Sequence, residues 1–499
     1  MIRRWLLVGL LSVVTFASVS RADQGPFPRP KVLEPAIKFW RDIFATYSKH
    51  QVVVHDDWYL GKVYEVVDFR SWVSDGEPLT ISQENEKKRQ IEEAKQRVRN
   101  ILLSLHARGG DTSGMTADER RIYEMFRDVP GHDKFLLAAD RVRAQPGLRE
   151  RFALGIARQR GYLPRMEQVF REEGLPVQLA RLPLIESCFD LNAYSKVGAA
   201  GVWQFMPSTG KQYLHISDAI DERRDPLRAT RAAAQHLAAD YQALGSWPLA
   251  ITAYNHGRGG VARGVREIGS SDIGDLVTRY RGKAFGFASR NFYAEFLAAL
   301  DVVERADELF GDLPYIPPIE GEEVPLPHPM GLHHAARLAG VRAEDLVAAN
   351  PAFLSAVVDG RAYIPRGYRL RVPPGGDVVQ VARATPPPVQ RTQVASAKRP
   401  SKSTRPVTVA SSKSSKSSKT QTASKSASSK SASRQVASKS SKGKSSAKKK
   451  PTVIVHRVQK GQTLGDIARR YGTTVEAIRS MNKVSARSLQ VGQRLRIPS

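Results

Sequence analysis

Residues 174–210 read GLPVQLARLPLIESCFDLNAYSKVGAAGVWQFMPSTG, and the rest of the chain is organised around them. Leu179, Leu182 and Ile185 recur at three-residue steps, which predicts one buried stripe of a helix and carries the carboxylate of Glu186 to that helix's end. A carboxylate leaving an apolar stripe is partly desolvated. Desolvation disfavours the charged form and raises the pKa, the condition a carboxylic acid needs to donate a proton near neutral pH. Ser187 follows directly and can bond a neighbour or a substrate. Gly198 and Gly201 allow close backbone approach. Trp203, Gln204, Phe205 and Met206 then offer flat apolar faces with one amide among them, a mixture suited to a sugar. Taken alone, a glutamate at a helix end is more often a solvated or capping residue.

Three ordered motifs change that weighting: ES at Glu186 and Ser187, GVWQFMP over 201–207, and AYNHG over 253–257. In this order and spacing the chain resembles the lysozyme-like lytic transglycosylases of the membrane-bound lytic transglycosylase D type. The resemblance implies a mainly helical, lysozyme-like catalytic domain over 81–310 and a single catalytic acid, Glu186. It also implies that Tyr254 and Asn255 line the cleft, with Asn255 holding the substrate's acetamido group or the catalytic region. His256 departs from the commoner alanine and is expected on the surface of the turn. A fourth motif, usually a tyrosine, has its counterpart in SRNFYAE over 289–295, where an ungapped match places Phe292 on the tyrosine and Tyr293 one step later. The expected substrate-binding set is therefore Ser187, Gln204, Phe205, Met206, Tyr254, Asn255 and Tyr293.

The implied reaction is cleavage of the β-1,4 bond between N-acetylmuramic acid and N-acetylglucosamine, leaving a 1,6-anhydro end. A hydrolytic muramidase and a non-enzymatic wall-binding scaffold are the alternatives. Asp221 and Asp225 are the nearest candidates for a second acid, but aspartate before Pro226 at a helix start already has a capping explanation.

The chain has 499 residues and a formal net charge of +28, too long for one ordinary domain. Residues 1–22 read as a signal peptide: Arg3 and Arg4, an apolar run over 5–16, then Ser20-Arg21-Ala22 as a cleavage site. The expected location is periplasmic or cell-wall associated. The lone Cys188 allows no intramolecular disulfide, sits too far along to be a lipidation site, and reads as a buried, inert thiol. An N-terminal extension is expected over 23–80, with a helix over 36–47 and strands over 51–54 and 62–67. Helices are expected over 82–106, 117–127, 132–144, 147–161 and 162–173, each punctuated by Pro or Gly.

After 310 the chain echoes itself. AARLAGVRAEDLVAAN over 335–350 aligns without gaps with IARRYGTTVEAIRSMN over 467–482, and YRLRVP over 368–373 with QRLRIP over 493–498. The second copy, within 453–499, opens with HRVQKGQTL and resembles the lysin motif (LysM), a βααβ module that binds polymers containing N-acetylglucosamine. The first, within 325–374, lacks that opening, carries an insertion around 353–362, and reads as a degenerate, structural copy. Between them, 375–452 is a Ser/Lys-rich tract with almost no large apolar residues, expected to be disordered. Over 375–450 it holds about 18 Lys or Arg against the single Asp377, more than half of the chain's +28. Attraction to anionic wall or membrane surfaces is the expected role, with a plain solubilising tether as the alternative. Without aromatic interleaving or a nucleic-acid fold, no nucleic-acid partner is expected. No HExxH, Cys/His cluster or phosphate-binding loop is present, so neither metal nor cofactor is implied.

Overall fold

The computed structural model describes residues 25–73, 79–386 and, toward the C-terminus, 453–458, 464, 467–468, 471, 475–482 and 493–498. The expected signal peptide and most of the basic tract lie outside these residues. The chain divides into two units, 1–393 and 394–499.

In the first unit, helix α1 (Glu34–Ala45) starts with Pro35 in its first turn and buries Ile37, Trp40, Ile43 and Phe44. Strands β1 (Gln51–Asp56) and β2 (Val63–Asp68) form an antiparallel pair, and β3 (Val142–Pro146) adds to the other side of β1. Three helices pack beside this sheet: α2 (Ile81–Ala107), opened by a capping box of Thr80 and Gln83, α3 (Ala117–Met125) and α4 (Lys134–Ala139). They enclose a core of their own, including Val54, Tyr64, Leu102, Phe126 and Phe135.

Two boundaries differ from the sequence reading here. The helix expected over 132–144 stops at Ala139, because 142–146 pairs with β1 and the ladder outweighs local helix propensity. The residues expected as an extension over 23–80 are built into the fold: β1 is the central strand, and α1 belongs to the main core.

Helix α5 (Arg149–Glu172) runs unbroken through Gly161 and Pro164, where two helices were expected. Gly161 is a crossing point rather than a break. A Cβ there would stand 2.6 Å from the carbonyl oxygen of Ile316. A 3-10 turn (Val177–Arg181) leads into α6 (Leu182–Ser187) and the short α7 (Pro207–Gly210). Then follow α8 (Pro226–Leu244), α9 (Trp247–His256), α10 (Arg258–Ile268), α11 (Ile273–Arg279), α12 (Phe287–Glu304) and α13 (Ala306–Phe310). Helix α12 is the spine, packed against α1, α6, α9 and the 3-10 turn. Its buried Phe292, Phe296, Leu297 and Val302 explain why so apolar a helix is stable here.

The first repeat closes this unit: β4 (Glu322–Pro325), α14 (Leu332–Ala339), α15 (Ala343–Ala349), α16 (Ser355–Val358) in the insertion, and β5 (Arg369–Val372) antiparallel to β4. It docks on the helical core. Asp221 N–H donates to Ala352 at 2.8 Å, Leu354 N–H to Ala219 at 2.9 Å, and Arg371 reaches Asp225 at 2.9 Å. The chain beyond 374 was expected to lack structure at once, yet Asp377 caps a further helix, α17 (Val378–Ala382), whose Val381 is fully buried against the repeat.

In the second unit, β6 (Val453–Arg457) pairs antiparallel with β7 (Arg494–Pro498), and α18 (Val475–Asn482) is one of the two helices expected of a βααβ module. An asparagine clamp identifies the duplication. Asn350 Nδ2 donates to the carbonyls of Leu346 and Arg371 while its Oδ1 accepts from Arg371 N–H. Asn482 makes the same three bonds with Ile478 and Arg496, each 2.7 Å. The aligned positions of the two copies thus perform the same local task.

Candidate active site

The apolar stripe that carries Glu186 spans two segments, the 3-10 turn and α6, with Leu179 and Leu182 fully buried and Ile185 partly so. Helix α6 ends just past Glu186 because Cys188 and Phe189 both take left-handed backbone, at φ 51° and 49°. Such angles are costly for residues with a Cβ and persist only where packing imposes them. Gly155 of α5 supplies part of that packing: a Cβ there would lie 2.6 Å from the Cys188 carbonyl oxygen. The Cys188 thiol is buried and burial raises its pKa, so it stays protonated.

Glu186 is partly exposed, yet enough protein surrounds its carboxyl that burial pushes its pKa up to about 8. It has no hydrogen-bond or ion-pair partner among the described residues. A carboxyl held neutral at pH 7 and unpaired is free to give its proton to something that enters.

The residues around it divide into framework and open positions. Ser187, expected to touch substrate, is buried, with its hydroxyl against the carbonyls of Val202 (3.0 Å) and Pro183 (3.2 Å) while accepting from Asp190 N–H. It braces α6 to the following loop. Trp203 offers no open face: it is fully buried and donates from Nε1 to Thr230 at 2.9 Å. Phe205 is also buried, with its ring beside Tyr254 and His236. Met206 is open, 39% exposed. Gln204 has φ 49° and donates from Nε2 to the Gly201 carbonyl at 2.8 Å.

This loop is fixed by Arg223, which sequence reasoning passed over. Its guanidinium grips Asp221 through two bonds of 2.9 and 2.7 Å and donates to the carbonyls of Gly198 (2.7 Å) and Phe205 (2.9 Å). Gly201 passes so close that a Cβ would sit 1.8 Å from the Arg223 carbonyl oxygen. Asp221 is therefore committed to Arg223. Asp225 caps α8 and pairs with Arg371. Neither is placed as a second acid.

Tyr254 donates to the Trp203 carbonyl at 2.9 Å, and burial, with the Glu186 charge nearby, raises its phenol well above the usual value. Asn255 is exposed at the end of α9, its Oδ1 accepting from Ser289 at 2.9 Å. Because the Ser289 proton goes to Asn255, His256 must donate from Nδ1 to Ser289 (3.1 Å). His256 also packs edge-on against Phe285, so it orients Asn255 rather than standing free on the turn.

Tyr293 is not in the site. Its hydroxyl donates to the Pro28 carbonyl at 2.8 Å and the side chain is buried, because α12 turns this face toward the segment before α1. Phe292 is buried too. Glu295, three residues beyond Phe292, was missed. It is partly exposed, its pKa is pushed up to about 8 by burial and by the charge of Glu186, and it has no hydrogen-bond or ion-pair partner among the described residues. The sequence signal was a lone carboxylate between Ala294 and Phe296 in an otherwise apolar run.

Two other features lie apart from Glu186. A cavity of about 960 Å³ between α5, α8 and the first repeat is lined by Arg165, Arg228, Arg231 and Tyr368 among others, without Glu186. His106 and the adjacent pair His132 and Asp133 bring three ligand-type atoms within 4.8 Å of one another.

Two regions of the chain match known protein families. Residues 168–276 match the Transglycosylase SLT domain family and residues 456–498 the LysM domain family. The chain is 29% identical over 186 residues to membrane-bound lytic murein transglycosylase D of Escherichia coli (strain K12), covering 35% of this chain and 39% of that protein. It is 38% identical over 114 residues to a protein of Alteromonas sp. (strain M-1) named for tributyltin chloride resistance, covering 22% of this chain and 55% of the relative. The chain thus spans well under two thirds of the length of the curated relatives it matches. The crystal structure of the 70 kDa soluble lytic transglycosylase of Escherichia coli is similar over 31% of this chain and 25% of its own, at 22% identity and a TM-score of 0.25. The chain carries an SLT transglycosylase domain and a C-terminal LysM domain, and is homologous to the lytic transglycosylase D protein.

Proposed function

We propose that this chain is a peptidoglycan lytic transglycosylase that cleaves the β-1,4 bond between N-acetylmuramic acid and N-acetylglucosamine and leaves 1,6-anhydro-muramyl ends. The observation that carries the reading is Glu186: a neutral, unpaired carboxyl at the end of α6, within an SLT domain. Protonated Glu186 donates to the glycosidic oxygen. The carboxylate so formed takes the proton of the muramyl 6-hydroxyl, whose oxygen attacks the anomeric carbon of its own sugar. No water is consumed and Glu186 ends the cycle protonated. Holding the 6-hydroxyl on the same sugar gives the attack the advantage of an intramolecular nucleophile. The route also suits a site whose two nearby aspartates, Asp221 and Asp225, are tied up in buried ion pairs.

Met206, Asn255, Tyr254 and Gln204 are the groups we assign to substrate, with Asn255 oriented through Ser289 and His256. Ser187, Phe205 and Trp203 hold the frame. The LysM domain binds N-acetylglucosamine-containing strands and the basic tract is drawn to anionic wall or membrane surfaces. The reading places the protein in the cell envelope, in the periplasm or at the wall. No helix among the described residues is long and apolar enough to cross a membrane.

Mass spectrometry of muropeptides released from purified sacculi tests the reading. Products one water lighter than the hydrated muropeptide are expected. Hydrated products alone would make the protein a muramidase, and no release would make it a scaffold.

A further inference from the structure

Helix α2 carries His106 in its last turn, half-buried, with its Nδ1 shut off from solvent and without a hydrogen-bond partner among the described residues. A buried polar atom left unpaired is unfavourable and calls for an explanation. Beyond α3 the chain returns to this point: the ring of His132 stands edge-on to that of His106, with centres 5.3 Å apart and planes at 75°. Asp133 follows at the start of α4. An aspartate in that position ordinarily turns its carboxylate onto the first backbone N–H groups of the helix, and this one does not. Its Oδ1 lies instead 3.4 Å from Nδ1 of His132, beyond the usual length of a hydrogen bond.

One ligand-type atom from each of these residues lies within 4.8 Å of the other two. Tetrahedral zinc holds nitrogen and carboxylate oxygen at about 2.0 Å, so two of its ligand atoms stand about 3.3 Å apart, and two imidazoles sharing the ion have centres about 5 Å apart. The observed 3.4 Å and 5.3 Å already meet these values. The longest separation has to close by at most about 1.5 Å. His132 and Asp133, with side chains 73% and 66% exposed, have room to turn inward. The neighbouring cations are engaged elsewhere: Lys134 donates to the Phe126 carbonyl at 2.7 Å, and Arg108 donates to the Ser113 carbonyl and reaches Glu119. An edge-on contact of two rings would account for the histidines, but not for the uncapped helix start or the unpaired nitrogen. Two imidazoles and one carboxylate disfavour calcium and magnesium, which take oxygen, and suit zinc, nickel or copper.

We propose that His106, His132 and Asp133 bind one divalent transition-metal ion of the zinc class, which ties the end of α2 to the start of α4. Three protein ligands leave a coordination position to solvent water. The two helices pack against each other and enclose the smaller core with Leu102 and Phe135. The ion supplies the cross-link that Cys188, the chain's single cysteine, cannot form. Folding brings the three ligands together and unfolding scatters them, so binding stabilises the native state by mass action. This role is independent of the reaction assigned to Glu186.

The test uses the full chain, purified without a polyhistidine tag, stripped with EDTA and titrated with Zn2+ alone by calorimetry, with the Tm read alongside. The Tm should rise by about 4 °C at about a hundredfold excess over Kd. His132→Gln and Asp133→Asn change exposed side chains and leave the core untouched; each should weaken binding at least about tenfold and remove the rise in Tm, and His106→Gln should do the same. A control with His333→Gln and His334→Gln, two adjacent histidines of α14, should bind as wild type does. Co2+ in place of Zn2+ should give the visible bands of a four-coordinate site in wild type and lose them in the three variants. No uptake of zinc, uptake that His132→Gln and Asp133→Asn leave unchanged, loss of uptake in the α14 control, or binding with no rise in Tm would each overturn the proposal.

Discussion

Arg371 on β5 and Asp225 at the start of α8 meet at 2.9 Å with both side chains almost wholly buried. One belongs to the degenerate repeat and the other to the helical core. Around them Glu323 accepts from Arg371, Arg228 and Arg369, while Arg228 lies over the ring of Tyr368 at 4.6 Å. A buried pair adds little stability over an apolar one of equal shape, but breaking it leaves a buried charge uncompensated.

Arg371→Ala should therefore destabilise the first unit by about 3 kcal/mol, since it strands Asp225. Urea denaturation of the full chain measures this. A loss below about 1 kcal/mol would mean that Arg228, 3.7 Å from Asp225, takes over the charge.

Glu186→Gln should abolish turnover, because the amide keeps the shape and cannot donate the proton. It should also stabilise the fold, with a sign that pH reveals. The folded-state pKa, about 8, lies above the ordinary value of 4.5. Between these values the native state binds the extra proton, so wild-type stability falls as pH rises through that window. The variant has no such proton to hold. Its Tm should match wild type near pH 4 and exceed it near pH 8; an equal difference at both would contradict the burial of this carboxyl.

Gly201 and Gly174 both have left-handed backbone, at φ 74° and 68°, but only Gly201 is crowded; nothing stands within 4 Å of a Cβ at Gly174. Gly174→Ala should cost about 1 kcal/mol, the conformational strain alone. Gly201→Ala must push away the Arg223 backbone and with it the loop from Gly198 to Phe205. A loss of more than about 3 kcal/mol, or a folded protein with turnover reduced at least tenfold, is expected. Equal costs at the two glycines would contradict the crowding.

These contrasts also show what the linear chain could and could not disclose. Glu186 and its stripe were legible because spacing along one helical face is a local property. So were the cap at Asp225, the turn at Gly257 and the paired repeats, whose alignment already set Asn350 on Asn482. What escaped depends on how elements meet. Whether Tyr293 faces the cleft or the segment before α1 is set by the rotation of α12 against α6 and α1, which no single helix records. Gly161 looked like punctuation and is a crossing point. Trp203 looked like a platform for sugar, and its indole is consumed by Thr230. Arg223, among many exposed arginines of a basic chain, gave no sign that it would bind two carbonyls of the site loop.

Deleting residues 456–499 should weaken retention on sacculi and spare turnover of soluble fragments, since a tethered module acts through local concentration. Replacing the lysines and arginines of 383–450 by serine should reduce retention at low salt only. Screening shortens charge attraction to about 8 Å at physiological ionic strength and to a few ångströms near 0.5 M. Pull-downs across a salt series separate the two. Wild-type binding by the serine variant at low salt would leave that tract a spacer.

The asparagine clamp gives the two repeats one further consequence. In each copy it holds the backbone of the same arginine, Arg371 in the first and Arg496 in the second. The side chain of Arg371 is sunk against Asp225, whereas Arg496 is exposed to water. One arginine position thus serves two uses, as a rivet to the helical core in the first copy and as open surface in the second.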